Sequence, residues 1–198
     1  MAESSISITE GSGKDLQTYA RSVASTTREN QYVLPGESGL PTYTAFATMR
    51  ANVANSHLMI IQGDGTNYAR LRRLTIKQAN IATASTMEIK VFRTSTEGTG
   101  GTAVTPRSIG LGDAVYGGTV ATLPTTKGTE GAQLLQFRIG LAAANPVTRE
   151  NMGEWIQQPN AKPVQFGTGP DNGIAIKNIG TSATEFDIEA EFTLTPWL

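Results

Sequence analysis

The sequence contains no cysteine and a single histidine in 198 residues. The first absence excludes disulfides and thiolate metal centres, and it fits a chain that folds in a reducing compartment. The second removes most routes to general acid–base and imidazole–metal chemistry, which need a group titrating near neutrality or several nitrogen ligands together. Aromatic residues make up only 7% of the chain and the formal net charge is -1. Nothing in that balance points to wholesale binding of nucleic acid or of an anionic membrane. Charge is mildly uneven: residues 1–110 carry 11 basic and 8 acidic side chains, residues 111–198 carry 5 and 9. No apolar run approaches the roughly 20 residues that span a bilayer as a helix. The polar opening MAESSISITEGSGK does not read as a secretory signal. The expectation is a soluble product of the cytoplasm with no cofactor, no metal, and neither nucleic acid nor membrane as partner.

What the chain does have is glycine, 21 residues of it, together with abundant threonine and short apolar runs. Such a mixture suits short strands joined by many turns. Residues 1–41 are rich in Ser, Thr, Gly and Gln and read as an N-terminal arm, with a disordered tail as the alternative. Within it, Leu16, Tyr19, Ala20 and Val23 have the spacing of one weak helical turn, and the apolar trio Tyr32, Val33, Leu34 precedes a Pro35-Gly36 turn. Residues 42–198 read as one β-sandwich domain.

In that domain, Leu58–Ile61 is a continuous apolar run typical of a strand covered on both faces, ended by Gly63-Asp64-Gly65. Asp64 in that setting reads as a tight turn, since a calcium loop would need further acidic ligands. In NYARLRRLTIKQ, Leu71 has the opposite parity to Leu74 and Ile76, which a bulge near Arg72-Arg73 reconciles; a short helix is the competing reading. Val115, Tyr116, Val120 and Leu123 are the apolar anchors of a region that is otherwise mostly loop. From Glu185 to Thr195 every even position is apolar and every odd one polar, a period of two with one face buried and one wet. Strands are expected near 44–49, 57–62, 68–78, 87–94, 133–139, 154–158, 174–179 and 185–195. About eight strands with long connections near 95–132 and 140–153 predict an all-β, two-sheet antiparallel sandwich of jelly-roll type.

Chemistry-bearing motifs are few. TSTEGTGGTAVTP contains Gly98, Gly100 and Ala103 at the G-x-G-x-x-A spacing of a dinucleotide-binding turn. That motif needs a helix to open behind it, and Thr102-Ala103-Val104-Thr105-Pro106 disfavours one, so the glycines read as loop punctuation. His57, just before the Leu58–Ile61 run, reads as a strand-edge histidine. Glu185, Asp187, Glu189 and Glu191 alternate along one strand face, their side chains ~7 Å apart. They read as a solvated face, or as a partner for basic groups across the strand or on a neighbouring subunit. Arg70, Arg72 and Arg73 lack the interleaved aromatics of a nucleic-acid patch and read as a surface strand. Trp197 and Leu198 either cover the end of the core or insert into a neighbour's groove. No catalytic residue is expected. A partner interface is expected at Leu16, Tyr19, Tyr32, Val33, Leu34, Arg70, Arg72, Arg73, Trp197 and Leu198.

The order of a β-rich start, the FRTSTEGTGGTAVTP loop, the segment EWIQQPNAKPVQFGTGPDNGIAIKN and the final alternating strand resembles tailed-bacteriophage virion structural proteins with β-sandwich domains. Arg93, Gly100, Gly101, Thr102, Ala103, Pro106, Trp155, Lys162, Pro163, Gly173 and Ile174 stand at matching places, and the resemblance covers about residues 55–195. FGTGPDN departs from the Pro-Gly-Glu type of turn found in such relatives. The resemblance implies a non-enzymatic subunit located in the virion and assembled in the host cytoplasm. It would contact the major capsid protein or other virion subunits, and it would be a homo-oligomer, trimer or dimer. The role implied first is capsid decoration (cement); a collar, tail, head-fibre or baseplate subunit is the alternative. A carbohydrate-binding sandwich using Trp155, Tyr116 and the acidic ladder is the remaining reading.

Overall fold

The alternating segment becomes β14 (Glu185–Pro196), and its register on both sides positions the rest of one sheet. The structure, a computed structural model, describes residues 18–23, 26–31, 40–51, 55–78, 85–141, 152–158, 161–168, 172–180 and 185–196. Among these there is no helix. The chain divides into two units, Met1–Ser38 and Gly39–Leu198. In the first, β1 (Thr18–Val23) and β2 (Thr26–Gln31) form an antiparallel hairpin. This replaces the helical turn expected around Tyr19, Ala20 and Val23. Six residues with β-branched and aromatic side chains cannot recover the cost of helix nucleation, whereas a strand partner two residues away satisfies the backbone at once. Leu16 and the trio Tyr32, Val33, Leu34 lie outside the described residues, as do Trp197 and Leu198.

The second unit holds β3 (Thr42–Ala51), β4 (His57–Ile61), β5 (Asn67–Gln78), β6 (Ser85–Thr94), β10 (Glu130–Leu141), β11 (Met152–Ile156), β12 (Val164–Phe166), β13 (Ile174–Asn178) and β14, with three short strands between β6 and β10: β7 (Thr102–Ala103), β8 (Arg107–Ser108) and β9 (Val120–Thr122). One sheet runs β10-β6-β13-β4-β9-β7; the other runs β11-β5-β14-β3-β8, with β12 also on β5. The pairs β3–β14, β4–β13, β5–β11/β12 and β6–β10 nest inside one another, which is a long antiparallel hairpin wound into two sheets: a jelly roll. Each short strand of the β6–β10 connection extends a sheet. A loop with at most one short strand was expected there, because segments of two or three residues carry no periodicity.

The bulge in β5 is present. Glu191 pairs with Arg73 and Phe192 with Leu71, so Arg72 is the extra residue and Leu71 and Leu74 both face the core. The Arg72 carbonyl accepts the Gln157 N–H at 2.8 Å, where β11 gives way to β12 along the same side of β5.

The inner faces supply the core: Leu71, Leu74, Ile76, Phe186, Ile188 and Phe192 from one sheet, Met59, Ile61, Ile89, Val91, Ile174 and Ile176 from the other. At one end Phe192 meets Tyr116, Tyr43 and Phe166 at centroid distances of 4.9, 5.8 and 6.2 Å. Tyr116 donates to the Gln62 carbonyl and Tyr43 to the Ala114 carbonyl, so each ring brings a satisfied hydroxyl into the interior. Burial pushes the Tyr116 phenol well up, which keeps it a donor. Tyr116 and Val120 are core anchors as expected, but Val115 points outward. Tyr116 and Tyr43 fix the backbone on either side of Val115, leaving it no route inward.

The glycine loop is built by close backbone approach. Gly100 and Gly101 have φ of +75° and +83°, and a Cβ on Gly101 would lie 2.3 Å from the Thr122 carbonyl oxygen. Gly101→Ala is therefore expected to cost more than about 3 kcal/mol, combining a left-handed backbone with a clash. Gly112→Ala, at φ +95° with no atom within 4 Å of its added Cβ, is expected to cost about 1–2 kcal/mol, the strain alone. Urea unfolding of the two variants checks the difference.

Candidate interaction surface

The outer face of β4 explains why a run that reads as buried on both sides is so. Ile60 pairs with Ala175 of β13 and Ala121 of β9, and these three form an apolar patch separate from the core. The loop after β6 lies over it. Gly98, whose added Cβ would sit 3.1 Å from Ile60 Cδ1 and 3.2 Å from the Gly128 nitrogen, passes directly above. Thr99 and Thr126 exchange backbone hydrogen bonds, and Thr96 Oγ1 accepts the Thr129 N–H at 2.7 Å. Where a nucleotide-binding motif would open a helix, Thr102 and Ala103 pair with β9 as β7.

A polar network sits on this same face. A register shift in the β4–β13 ladder brings His57 opposite Lys177. The Nε2 of His57 donates to Glu130 Oε1 at 3.0 Å, and Lys177 Nζ reaches both Glu130 oxygens at 2.8 and 2.9 Å. Lys177 also stands 5.6 Å over the Phe92 ring. His57 is 0% exposed and its Nδ1 is buried with no partner. Burial lowers its pKa, with Lys127 and Lys177 acting in the same direction and the Glu130 carboxylate opposing. For Glu130, burial acts to raise the pKa, but the hydrogen bonds and charges of Lys177 and His57 outweigh it and the net shift is downward. Through this bond His57 clamps the start of β10 to β4.

The acidic ladder of β14 faces the basic residues of β5. Asp187 is opposite Lys77 and Glu191 is opposite Arg73. Arg73 also pairs with Glu154 of β11 at 2.8 Å. Cross-strand charge pairing thus accounts for Asp187, Glu191 and Arg73, while Glu189 lies opposite Thr75 and Phe46; the bulge separates the arginines, with Arg70 opposite Thr193, Arg72 the bulged residue and Arg73 beside Glu191. Asp64 makes an Asx turn, its Oδ1 accepting the Thr66 and Asn67 N–H groups at 2.8 and 2.7 Å. Trp155 faces inward opposite Leu74 and packs on the core, and Tyr116 is buried. The structure therefore does not bring Trp155, Tyr116 and the ladder to one place. Among the described residues, no group of three His, Cys, Asp or Glu side chains converges to hold a metal.

Two surface features were not singled out in the sequence. The first is a groove of about 760 Å3 beside Phe46 and Ala47 of β3 and Ala103, Val104 and Arg107. It exists because β8 pairs with β3 only at Tyr43 and Thr44, while β7 belongs to the other sheet. The second is the turn after β8. Ile109, Leu111 and Val115 are 57%, 107% and 84% exposed. Ser108 Oγ sits 2.8 Å from the Gly110 carbonyl and 2.9 Å from Asp113 Oδ2, and the Ile109 N–H bonds the Thr42 carbonyl at 2.8 Å. Three large aliphatics are thus held outward on an ordered turn. The sequence signal was RSIGLGDAV, where glycines flank a leucine that has no alternating partner.

Of the expected interface residues, Tyr19 lies in β1 opposite Asn30, and Arg70, Arg72 and Arg73 lie on β5. The others lie outside the described residues.

The buried histidine has a pH signature. With its folded pKa below the ordinary value near 6.5, the native state binds fewer protons than the unfolded state below that pH, so stability falls as pH drops from about 7 toward 5. Protonation would also place an unpartnered donor at Nδ1. His57→Gln is expected to flatten this part of the profile, leaving the losses at lower pH from Glu130 and Asp64, whose lowered pKa values stabilise the fold only above them. Thermal midpoints measured from pH 8 to pH 4 check both statements.

No family model, no curated protein and no solved structure matches this chain.

Proposed function

We propose that the chain is a non-enzymatic structural subunit of a tailed-bacteriophage virion that decorates and cements the capsid through protein–protein contacts. The observation that carries this reading is the ordered aliphatic turn Ile109–Val115. Large apolar side chains held out from a rigid turn are expensive in water and mark a surface that is covered in use. Two features support it. The jelly roll is an architecture used in viral shells, although by itself a fold leaves function open. The segment 93–106, by which the sequence resembles phage virion proteins, is the strap that closes the sandwich, and its glycines serve packing. Asp187 and Glu191 face Lys77 and Arg73 within the chain, which leaves shape and apolar contact the larger part in recognition. A cement protein works this way, with each modest contact multiplied over a symmetric shell.

Sedimentation of the full chain with empty heads and, separately, with isolated tails of the encoding phage tests this. Co-sedimentation with heads is expected, with residues 1–41 becoming resistant to protease on binding. Co-sedimentation with tails alone would move the protein to the collar, tail or baseplate. A chain left in the supernatant by both particles would end the virion reading.

A further inference from the structure

We infer that copies of this chain bind each other, the Ile109–Val115 turn of one copy seated in the groove beside β3 of another. The turn and the groove are complementary in three respects. The turn projects Leu111 fully into solvent, held by Ser108, Asp113 and the Tyr43–Ala114 hydrogen bond, so the knob is preorganised and pays little ordering entropy on docking. The groove offers Phe46 on one side and Ala103 and Val104 on the other, set among threonines and Arg107, and about 760 Å3 is ample for a leucine with one aliphatic neighbour. Charge matches as well: Arg107 lines the groove and Asp113 belongs to the turn, which fixes orientation more than it adds affinity.

The turn cannot fill its own groove. Its base is pinned to Thr42 by the Ile109 N–H, and Leu111 is wholly exposed in this ordered conformation. Each copy carries both halves of the contact, so the set closes either as a two-fold pair that exchanges turns or as a small ring. Arg107 on the groove wall and Ile109 at the base of the knob are two residues apart, which puts both halves on the same side of the molecule, as closure around a nearby axis requires.

The chain's lack of cysteine makes the test direct. Leu111→Cys and Ala103→Cys are prepared as separate full-length proteins; both sites are exposed. Under mild oxidation the mixture is expected to form a disulfide-linked species joining the two variants, whereas neither alone does so. In light scattering, the wild type is expected at two or more times 21.0 kDa and Leu111→Asp near 21.0 kDa, with an unchanged circular dichroism spectrum. A wild type at monomer mass would overturn the inference. So would Leu111→Cys cross-linking with itself, or Leu111→Asp keeping the wild-type mass. The inference gives the Ile109–Val115 turn to the next copy, so capsid contact would then fall to other faces of the assembly; an assembly that ignores heads and tails would keep the inference and lose the virion reading.

Discussion

A strand at the edge of a sheet leaves backbone donors and acceptors that need partners, and two stacked sheets have four such edges. Here two of them, at β3 and β4, are served by the β6–β10 connection. It adds β9 and β7 beside β4, and β8 beside β3. To do so it must turn back across the outer face of β4 with its backbone, at Gly101 and Gly128, closer to other backbone than any side chain permits, and at Gly98 nearly so. The His57–Glu130–Lys177 network then anchors the returning chain as it enters β10. The glycine run, the buried histidine and the double burial of Leu58–Ile61 therefore have one cause.

The parts of this fold that could be read in advance were those with a period. β14 has eleven alternating residues, and a face buried against a core imposes that alternation directly. The β5 bulge was legible because one leucine broke parity with two others, and only an extra residue restores it. The helical spacing of Leu16, Tyr19, Ala20 and Val23 misled because four positions fit a helix as well as they fit chance, and a hairpin partner decides such a segment. β7, β8, β9 and β12 were invisible because two or three residues have no period; only their pairing with β9, β3, β4 and β5 defines them. The exposed turn was hidden for the complementary reason. Apolar residues in a loop read as core anchors, and for Tyr116 and Val120 that holds. Whether Val115 follows them depends on where the Tyr43 and Tyr116 hydroxyls tie the backbone, a three-dimensional fact.

The charged residues show how little of the surface is left to electrostatics. Arg73 and Lys77 lie against Glu191 and Asp187 of the neighbouring strand, Glu154 adds to Arg73, and Glu130 takes both Lys177 and His57. Exposed pairs of this kind contribute little stability each, but they cancel the field a basic patch would need to attract a polyanion.

Groove and exposed turn both lie on the β6–β10 connection, which places them differently from the core. β8 pairs with β3 at only two positions, so the groove opens where that pairing stops, and the turn begins where β8 ends. Lengthening β8 would close the groove; shortening the turn would remove the knob. Neither change reaches the nested pairs that define the jelly roll. The nested pairs join β3–β6 to β10–β14 and leave residues 102–115 outside them, so the turn and the groove can change while the jelly roll stays.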